Sequence, residues 1–308
     1  MSPISDKPLL IVVTGPTASG KTSLAIEIAE KYGCDIISAD SRQIYRDIPI
    51  GTAAPAPEER QRVFHHFTGI LDLDAYYSAA RFEEDVMALL PRMWEKSPVA
   101  VMCGGSMMYV DAVVKGIDEM PTVSESMREY VLDLYRSHGL EGIRAQLEIC
   151  DPEYYAQVDL DNPRRLIHAL EICLQSGRPY SSFRSGSVRQ RPFNVVKFAI
   201  AWKREDLFAR INARVDLMME NGLMEEARRA LARGPLNSLN TVGYKEMAMY
   251  FSGEMDLPTA VARIGKNTRV YAKKQLTWLK RDPSVVWLDP YSTAPLLSQI
   301  PDFRVGEG

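Results

Sequence analysis

The stretch Gly15-Pro16-Thr17-Ala18-Ser19-Gly20-Lys21-Thr22 fits the pattern G-x-x-x-x-G-K-[ST] in full. No other segment limits the possible fold so sharply. Its glycines let the backbone curl until several N–H groups face one anion, while Lys21 adds a charge and Thr22 a hydroxyl suited to Mg2+. Such a loop works only between a strand that delivers it and a helix that receives it. Both flanks are present, since residues 9–13 form an unbroken apolar run and residues 23–32 carry helical spacing. At about 4 Å and an effective dielectric of about 20, the Lys21 ammonium gains roughly 4 kcal/mol per unit of phosphate charge before desolvation. The loop alone leaves open whether the anion belongs to ATP, GTP or a diphosphate ester.

Further strands are expected over residues 35–39, 99–103, 195–202 and 285–288, with helical patterns between them. Alternation of this kind predicts an α/β fold: a P-loop NTPase-like parallel sheet covered by helices on both faces. The alternation fails from about residue 118 to 190, where the pattern is mostly helical and ends in Ser181-Ser182-Phe183-Arg184-Ser185-Gly186-Ser187, composed like a mobile loop. The expected organisation is therefore a first core segment at 1–117, a helical insertion at 118–190, and completion of the core with basic C-terminal helices at 191–308. With 308 residues and 46% hydrophobic content, the chain can bury a substantial core. No apolar run approaches the roughly 18 residues a membrane span needs, and the first seven residues lack the layout of a signal peptide, so a cytoplasmic protein is expected. Cys34, Cys103, Cys150 and Cys173 form no C-x-x-C pair and read as reduced thiols. The net charge of −3 means that any polyanionic partner must be held by a local basic patch.

Three other segments carry chemistry. Asp40-Ser41-Arg42-Gln43-Ile44-Tyr45 begins where the 35–39 strand ends, the edge at which open α/β sheets bind ligands. Asp40 there either holds Mg2+ through water or accepts a proton from a nucleophile. The Gln43 amide and the Tyr45 ring favour the second role, because an amide can pair with a nucleobase edge and a phenol can stack on one. Residues 99–103 run into Gly104-Gly105-Ser106 before a helix, offering N–H groups and a hydroxyl near the same edge. Residues 261–281 carry Arg263, Lys266, Arg269, Lys273, Lys274, Lys280 and Arg281 with no acid, while Val261, Ile264, Tyr271, Gln275 and Trp278 keep a core-facing spacing. That helix is a candidate phosphate-backbone stripe. Asn162-Pro163-Arg164-Arg165 opens a further helix with two adjacent guanidiniums, and His65-His66, without a third ligand, read as structural.

Taken in order and spacing, these motifs resemble the bacterial tRNA dimethylallyltransferase (IPP transferase) family over almost the whole length. Ile50-Gly51-Thr52-Ala53, Gly104-Gly105-Ser106-Met107-Met108-Tyr109, Val242-Gly243-Tyr244-Lys245-Glu246 and the stretch from Thr268-Arg269 to Thr277-Trp278 add to the match. Two positions depart: Ser106 stands where the family usually has Thr, and His168 where it usually has Arg. The resemblance implies transfer of a dimethylallyl group from dimethylallyl diphosphate to N6 of adenosine 37 in tRNA, with Mg2+ and without a stable protein partner. It implies that Gly15, Thr17, Ala18, Ser19, Gly20, Lys21 and Thr22 hold diphosphate, with Arg210 preferred to Arg214 as the clamp from the far side. Asp40 is the implied base, acting with Lys21, Thr22 and Arg210. Ser41, Arg42, Gln43, Ser106, Arg128, Arg164, Arg165, His168, Arg269 and Lys273 are the implied contacts to a tRNA anticodon stem-loop whose target base is flipped out.

Other readings of the same residues have different consequences. An adenylate isopentenyltransferase acting on free AMP, ADP or ATP would share the cradle and Asp40 but has no use for the basic helix or the insertion. A P-loop small-molecule kinase should end its 99–103 strand on an acid, where this chain has Cys103-Gly104-Gly105. For a non-catalytic RNA-binding switch driven by nucleotide, only the P-loop speaks.

Overall fold

The computed structural model describes residues 7–184, 186 and 188–303. Residues 1–6 of the N-terminal segment and Ser185 and Ser187 of the serine-rich stretch lie outside them. The chain divides into two compact units, Met1–Lys115 with Gln190–Gly308, and Gly116–Arg189.

The first unit is built on six parallel strands: Leu9–Thr14 (β1), Ile36–Ser38 (β2), His65–His66 (β3), Val99–Gly104 (β4), Asn194–Ile200 (β5) and Val285–Leu288 (β6), in the order β3-β2-β4-β1-β5-β6. Every residue of β1 is buried because the strand is central and covered on both sides. Successive side chains point to opposite faces. Leu9, Ile11 and Val13 thus pack with Leu24, Ala25 and Ile28 of the helix Lys21–Tyr32 (α1). Leu10 and Val12 pack instead with Phe82, Val86 and Leu90 of Ala79–Trp94 (α3), which follows the short helix Pro57–Arg62 (α2), and with Val110 and Val113 of Met107–Lys115 (α4). Gly33, in the left-handed region at φ 62°, stops α1, and the Ser78 hydroxyl caps α3 by accepting from the Arg81 N–H.

Strand β3 escapes sequence reading because two residues carry no periodicity. It pairs in parallel with β2 through Ile36–His65 and Ile37–His66. Strand β5 ends at Ile200, two residues before the expected limit, which frees Trp202 for another task described below.

The second unit comprises Glu125–Cys150 (α5), kinked at Gly139 where φ is 63°, Pro152–Tyr155 (α6) and Pro163–Ser176 (α7) around Val131, Ile143, Leu147, Leu166 and Leu170. The start of the serine-rich stretch is not loose. Tyr180–Phe183 forms a 3-10 turn, and the buried Asp151 carboxylate accepts both the Ser181 N–H (2.6 Å) and the Ser181 hydroxyl (2.8 Å).

Returning to the first unit, Arg204–Glu220 (α8), Leu223–Leu231 (α9), Tyr244–Phe251 (α10) and Leu257–Leu279 (α11) follow. All four bury a separate apolar cluster with Ile44, Tyr45, Ile48 and Leu73, α8 through Val215. No described helix is long and apolar enough to cross a membrane.

Candidate active site

Because β1, β2 and β4 run parallel, their carboxyl ends share one edge, and register brings three loops together there. Thr14 lies beside Gly104, and Ser38 beside Cys103. The Ala39 N–H donates to the Cys103 carbonyl at 2.8 Å, and the Ser106 N–H to the Ala39 carbonyl at 3.2 Å. Gly104 is required by this approach: an added Cβ would stand 2.1 Å from the Ala39 carbonyl oxygen.

The cradle between β1 and α1 has its unusual backbone angles at Ala18 (φ 63°) and Gly20 (φ 88°). Its outer side is braced by side chains from distant sequence. Trp202 Nε1–H donates to the Ser19 carbonyl at 2.8 Å, and Arg210 Nε–H to the Ala18 carbonyl at 2.8 Å. Gln275 of α11, only 2% exposed, accepts the Thr17 N–H at 3.0 Å and donates to the Gly105 carbonyl at 2.8 Å. That single amide joins the cradle to the glycine turn after β4. Its core-facing spacing had marked it for burial, but no local signal distinguishes a buried amide that bolts two loops from one that merely fills space. The Thr17 N–H is thereby committed inside the protein and the Ser19 N–H donates to the Pro16 carbonyl at 3.3 Å, so neither N–H is free for a ligand as expected, while the buried Ser19 hydroxyl has no partner among the described residues.

Asp40 closes an Asx turn, its Oδ1 accepting the N–H groups of Arg42 (2.9 Å) and Gln43 (3.3 Å). Three neighbours in this turn have other employment than the sequence suggested. Gln43 spends its amide internally, donating to the Thr52 (3.2 Å) and Ala53 (3.0 Å) carbonyls and accepting from the Ser38 hydroxyl (3.3 Å). It pins the 48–53 turn to β2 and has no spare donor for a nucleobase. Tyr45 is 6% exposed with its hydroxyl on the Ala75 carbonyl at 3.1 Å, so its ring is core and not a stacking platform. Ser106, 8% exposed, accepts the Ser41 N–H at 2.8 Å and donates to the Ser41 hydroxyl, which makes it a brace for the Asp40 turn. Arg42 reaches the Asn237 carbonyl at 3.1 Å.

Lys21, Thr22, Asp40, Cys103 and Gly104 line one cleft together with Ser38, Gln43 and His65. Burial pushes the Lys21 ammonium below the ordinary lysine range, with the Arg214 charge adding to the effect and Asp40 opposing it. Arg214 is lowered in the same way by burial, again opposed by Asp40. Lys21 and Arg214 are thus two poorly solvated cations that both feel the Asp40 charge, a balance that a bound anion would complete. Arg214 Nη1 lies 3.5 Å from the Thr17 hydroxyl and Nη2 donates to the Ala53 carbonyl at 3.3 Å. Arg210 has its Nε on Ala18 and its guanidinium 4.5 Å over the Trp202 ring. The order of preference between the arginines thus reverses, with Arg214 coupled to the cleft charges and Arg210 buttressing the loop. The Cys103 thiol is pushed up by burial to about 11 and stays protonated.

The remaining candidates lie elsewhere. Arg128 on α5 and Arg164, Arg165 and His168 on α7 belong to the second unit, the last three exposed. On α11, Lys273 is exposed, while Arg269 Nη1–H donates to Asn212 Oδ1 at 2.5 Å. Tyr271 does not face the core as its spacing suggested, because Ala272 takes that position. It is 39% exposed, with its hydroxyl 3.5 Å from the Gly105 carbonyl. His65 and His66 are held by the Val63 carbonyl (2.9 Å) and by Asp35 (3.0 Å).

Residues 43–282 match the family model described as IPP transferase. The chain is 51% identical to tRNA dimethylallyltransferase 2 of Parabacteroides distasonis, covering 94% of this chain and 97% of that one. It is 50% identical to tRNA dimethylallyltransferase 1 of Phocaeicola vulgatus with the same coverage. Among solved structures it resembles a full-length tRNA isopentenylpyrophosphate transferase from Bacillus halodurans (TM-score 0.67, 34% identity, 92% and 90% covered). It also resembles a eukaryotic dimethylallyltransferase captured acting on tRNA (TM-score 0.79, 25% identity, 92% and 74% covered). With its sheet, cradle and sequence all in agreement, the chain belongs to the IPP transferase family.

Proposed function

We propose that this protein transfers the dimethylallyl group of dimethylallyl diphosphate to N6 of adenosine 37 in the anticodon loop of tRNA, in the cytoplasm, releasing diphosphate. The carrying observation is the cleft in which Lys21, Thr22 and Asp40 meet at one sheet edge, with the Arg214 charge felt by Lys21 and by Asp40.

In the reaction the adenine N6 lone pair forms a bond to the allylic carbon as the C–O bond breaks, and that electron pair leaves on diphosphate. Lys21, Arg214 and the N–H groups of the loop stabilise the growing negative charge, which is greater in the transition state than in the bound substrate. Asp40 Oδ1 is occupied by the turn, and Oδ2 accepts no hydrogen bond among the described residues. Oδ2 is therefore the oxygen that takes the N6 proton. The Thr22 hydroxyl lines the same cleft and is a hard oxygen donor of the kind that suits Mg2+. When bound there, the ion would supply charge to neutralise the diphosphate. Arg164, Arg165 and His168, with Lys273 on α11, are the cationic and polar groups proposed to hold the tRNA.

Labelled dimethylallyl diphosphate incubated with unmodified tRNA, with AMP or with no acceptor separates the readings. Label entering tRNA alone supports this one. Label entering AMP would replace it with a free-nucleotide transferase, and ATP hydrolysis without prenyl transfer with a kinase.

A further inference from the structure

The turn at 48–53 touches no expected substrate, yet an unusual amount of buried chemistry is spent on fixing it. Glu226 of α9 is 2% exposed, and its two oxygens accept the successive N–H groups of Ile50 and Gly51, each at 2.8 Å. The Tyr244 hydroxyl at the start of α10, fully buried, donates to Glu226 Oε1 at 2.5 Å. Among the described residues no ion pair neutralises Glu226; three neutral donors hold it, the configuration that makes a buried carboxylate tolerable. Gly51 is as constrained as Gly104, because an added Cβ would stand 2.4 Å from the Tyr244 hydroxyl oxygen.

The far end of the same turn faces the active site. The Ala53 carbonyl, on a residue at φ 48°, accepts from Gln43 Nε2 (3.0 Å) and from Arg214 Nη2 (3.3 Å). The turn is internally rigid, with Ala53 N–H on the Ile50 carbonyl (2.9 Å), Ala54 N–H on the Pro49 carbonyl (2.9 Å) and the Thr52 hydroxyl on the Ile48 carbonyl (2.7 Å). A displacement at Ile50 and Gly51 therefore reaches Ala53, and with it the arginine next to Thr17.

We propose that Glu226 and Tyr244 are positioning residues for Arg214: they anchor the 48–53 turn so that the Ala53 carbonyl holds the guanidinium at the phosphate cradle. The inference rests on the diphosphate-binding role proposed above. It also gives the motifs Ile50-Gly51-Thr52-Ala53 and Val242-Gly243-Tyr244-Lys245-Glu246 a joint purpose, since the structure brings them together through Glu226.

The test is calorimetric binding of inorganic diphosphate to the whole protein, with Tyr244→Phe as the first variant and Glu226→Gln as the second. Circular dichroism and a melting curve identify which variants fold. Each folded variant is expected to weaken diphosphate about tenfold, as the loss of one charge-assisted hydrogen bond allows, while leaving the KM for tRNA unchanged. In an Arg214→Gln background the same substitutions should have no further effect, because the residue they position is gone. Unchanged diphosphate affinity in a folded variant, or a full tenfold loss persisting without Arg214, would overturn the proposal. A wild-type protein that binds diphosphate but transfers no prenyl group would sink the proposed function instead and leave this experiment readable.

Discussion

Replacing Gln275 by Leu removes one buried amide, leaves the Thr17 N–H without a partner and leaves the Gly105 carbonyl with only the long contact from the Tyr271 hydroxyl at 3.5 Å. An orphaned buried polar group costs about 1–3 kcal/mol, so Thr17 alone costs that much and the weakened Gly105 carbonyl adds a smaller share, about 2–4 kcal/mol together. Leu has a similar volume, so little cavity cost is added. At about 2.1 cal/mol/K per residue over roughly 300 residues, a loss near 3 kcal/mol corresponds to a fall of about 5 °C in melting temperature. The functional effect should exceed what stability explains, because the amide fixes the spacing between the cradle and the glycine turn. Diphosphate affinity, measured well below the melting temperature, should drop at least tenfold. Gln275→Glu discriminates further: it keeps an acceptor for Thr17 but turns an oxygen toward the Gly105 carbonyl, so it should be no better than Leu. A Gln275→Leu protein with wild-type melting temperature and wild-type diphosphate affinity would refute this assignment.

In its proposed role Lys21 holds diphosphate as an ammonium, and burial sets its titration below the ordinary 10.5 in the free protein; affinity should therefore decline as pH rises through that lowered value. Lys21→Arg should move the decline to higher pH, and superimposable profiles by calorimetry would place the titrating group elsewhere. Lys197 and Asp282 form a mostly buried pair at 2.6 Å, and although burial pushes Asp282 upward, the bonds from Lys197 and Ser284 prevail and hold it at about 2. This pair's stabilisation is present above the ordinary 3.8 and is lost as pH falls through about 2, which acid unfolding of wild type against Asp282→Asn should reveal. Lys197→Met should cost about 3–5 kcal/mol in denaturant unfolding, with Asp282→Leu recovering most of it. Gly104→Ala forces a Cβ against the Ala39 carbonyl and should destabilise by at least 1–3 kcal/mol, about the usual cost of overpacking, with loss of prenyl transfer.

The sheet and the cradle were legible because their signals are local. Residues 9–13 are apolar without interruption, the glycines sit at fixed spacing, and Asp40 follows directly on a short apolar strand. The family motifs were legible as strings but not as contacts. Gln43 and Tyr45 were read as base-recognising groups because their chemistry permits it; that both are consumed by the 48–53 and 75 carbonyls depends on chain folding back from other elements. Gln275 and Glu226 show the same limit from the other side. Each is one polar residue among several in its helix, and its importance lies in backbone partners 170 or more residues away. The choice between Arg210 and Arg214 likewise turned on Trp202, whose indole stacks under the Arg210 guanidinium.

The central claim is that Asp40 accepts the N6 proton while the cradle holds the departing diphosphate. Single-turnover transfer of labelled dimethylallyl diphosphate to tRNA by Asp40→Asn, with both substrates saturating, tests it most directly, because Asn preserves the acceptor that closes the Asx turn. The account predicts a rate lower by about 10²–10⁴-fold with diphosphate and tRNA affinities retained. A variant that kept most of its single-turnover rate would contradict it.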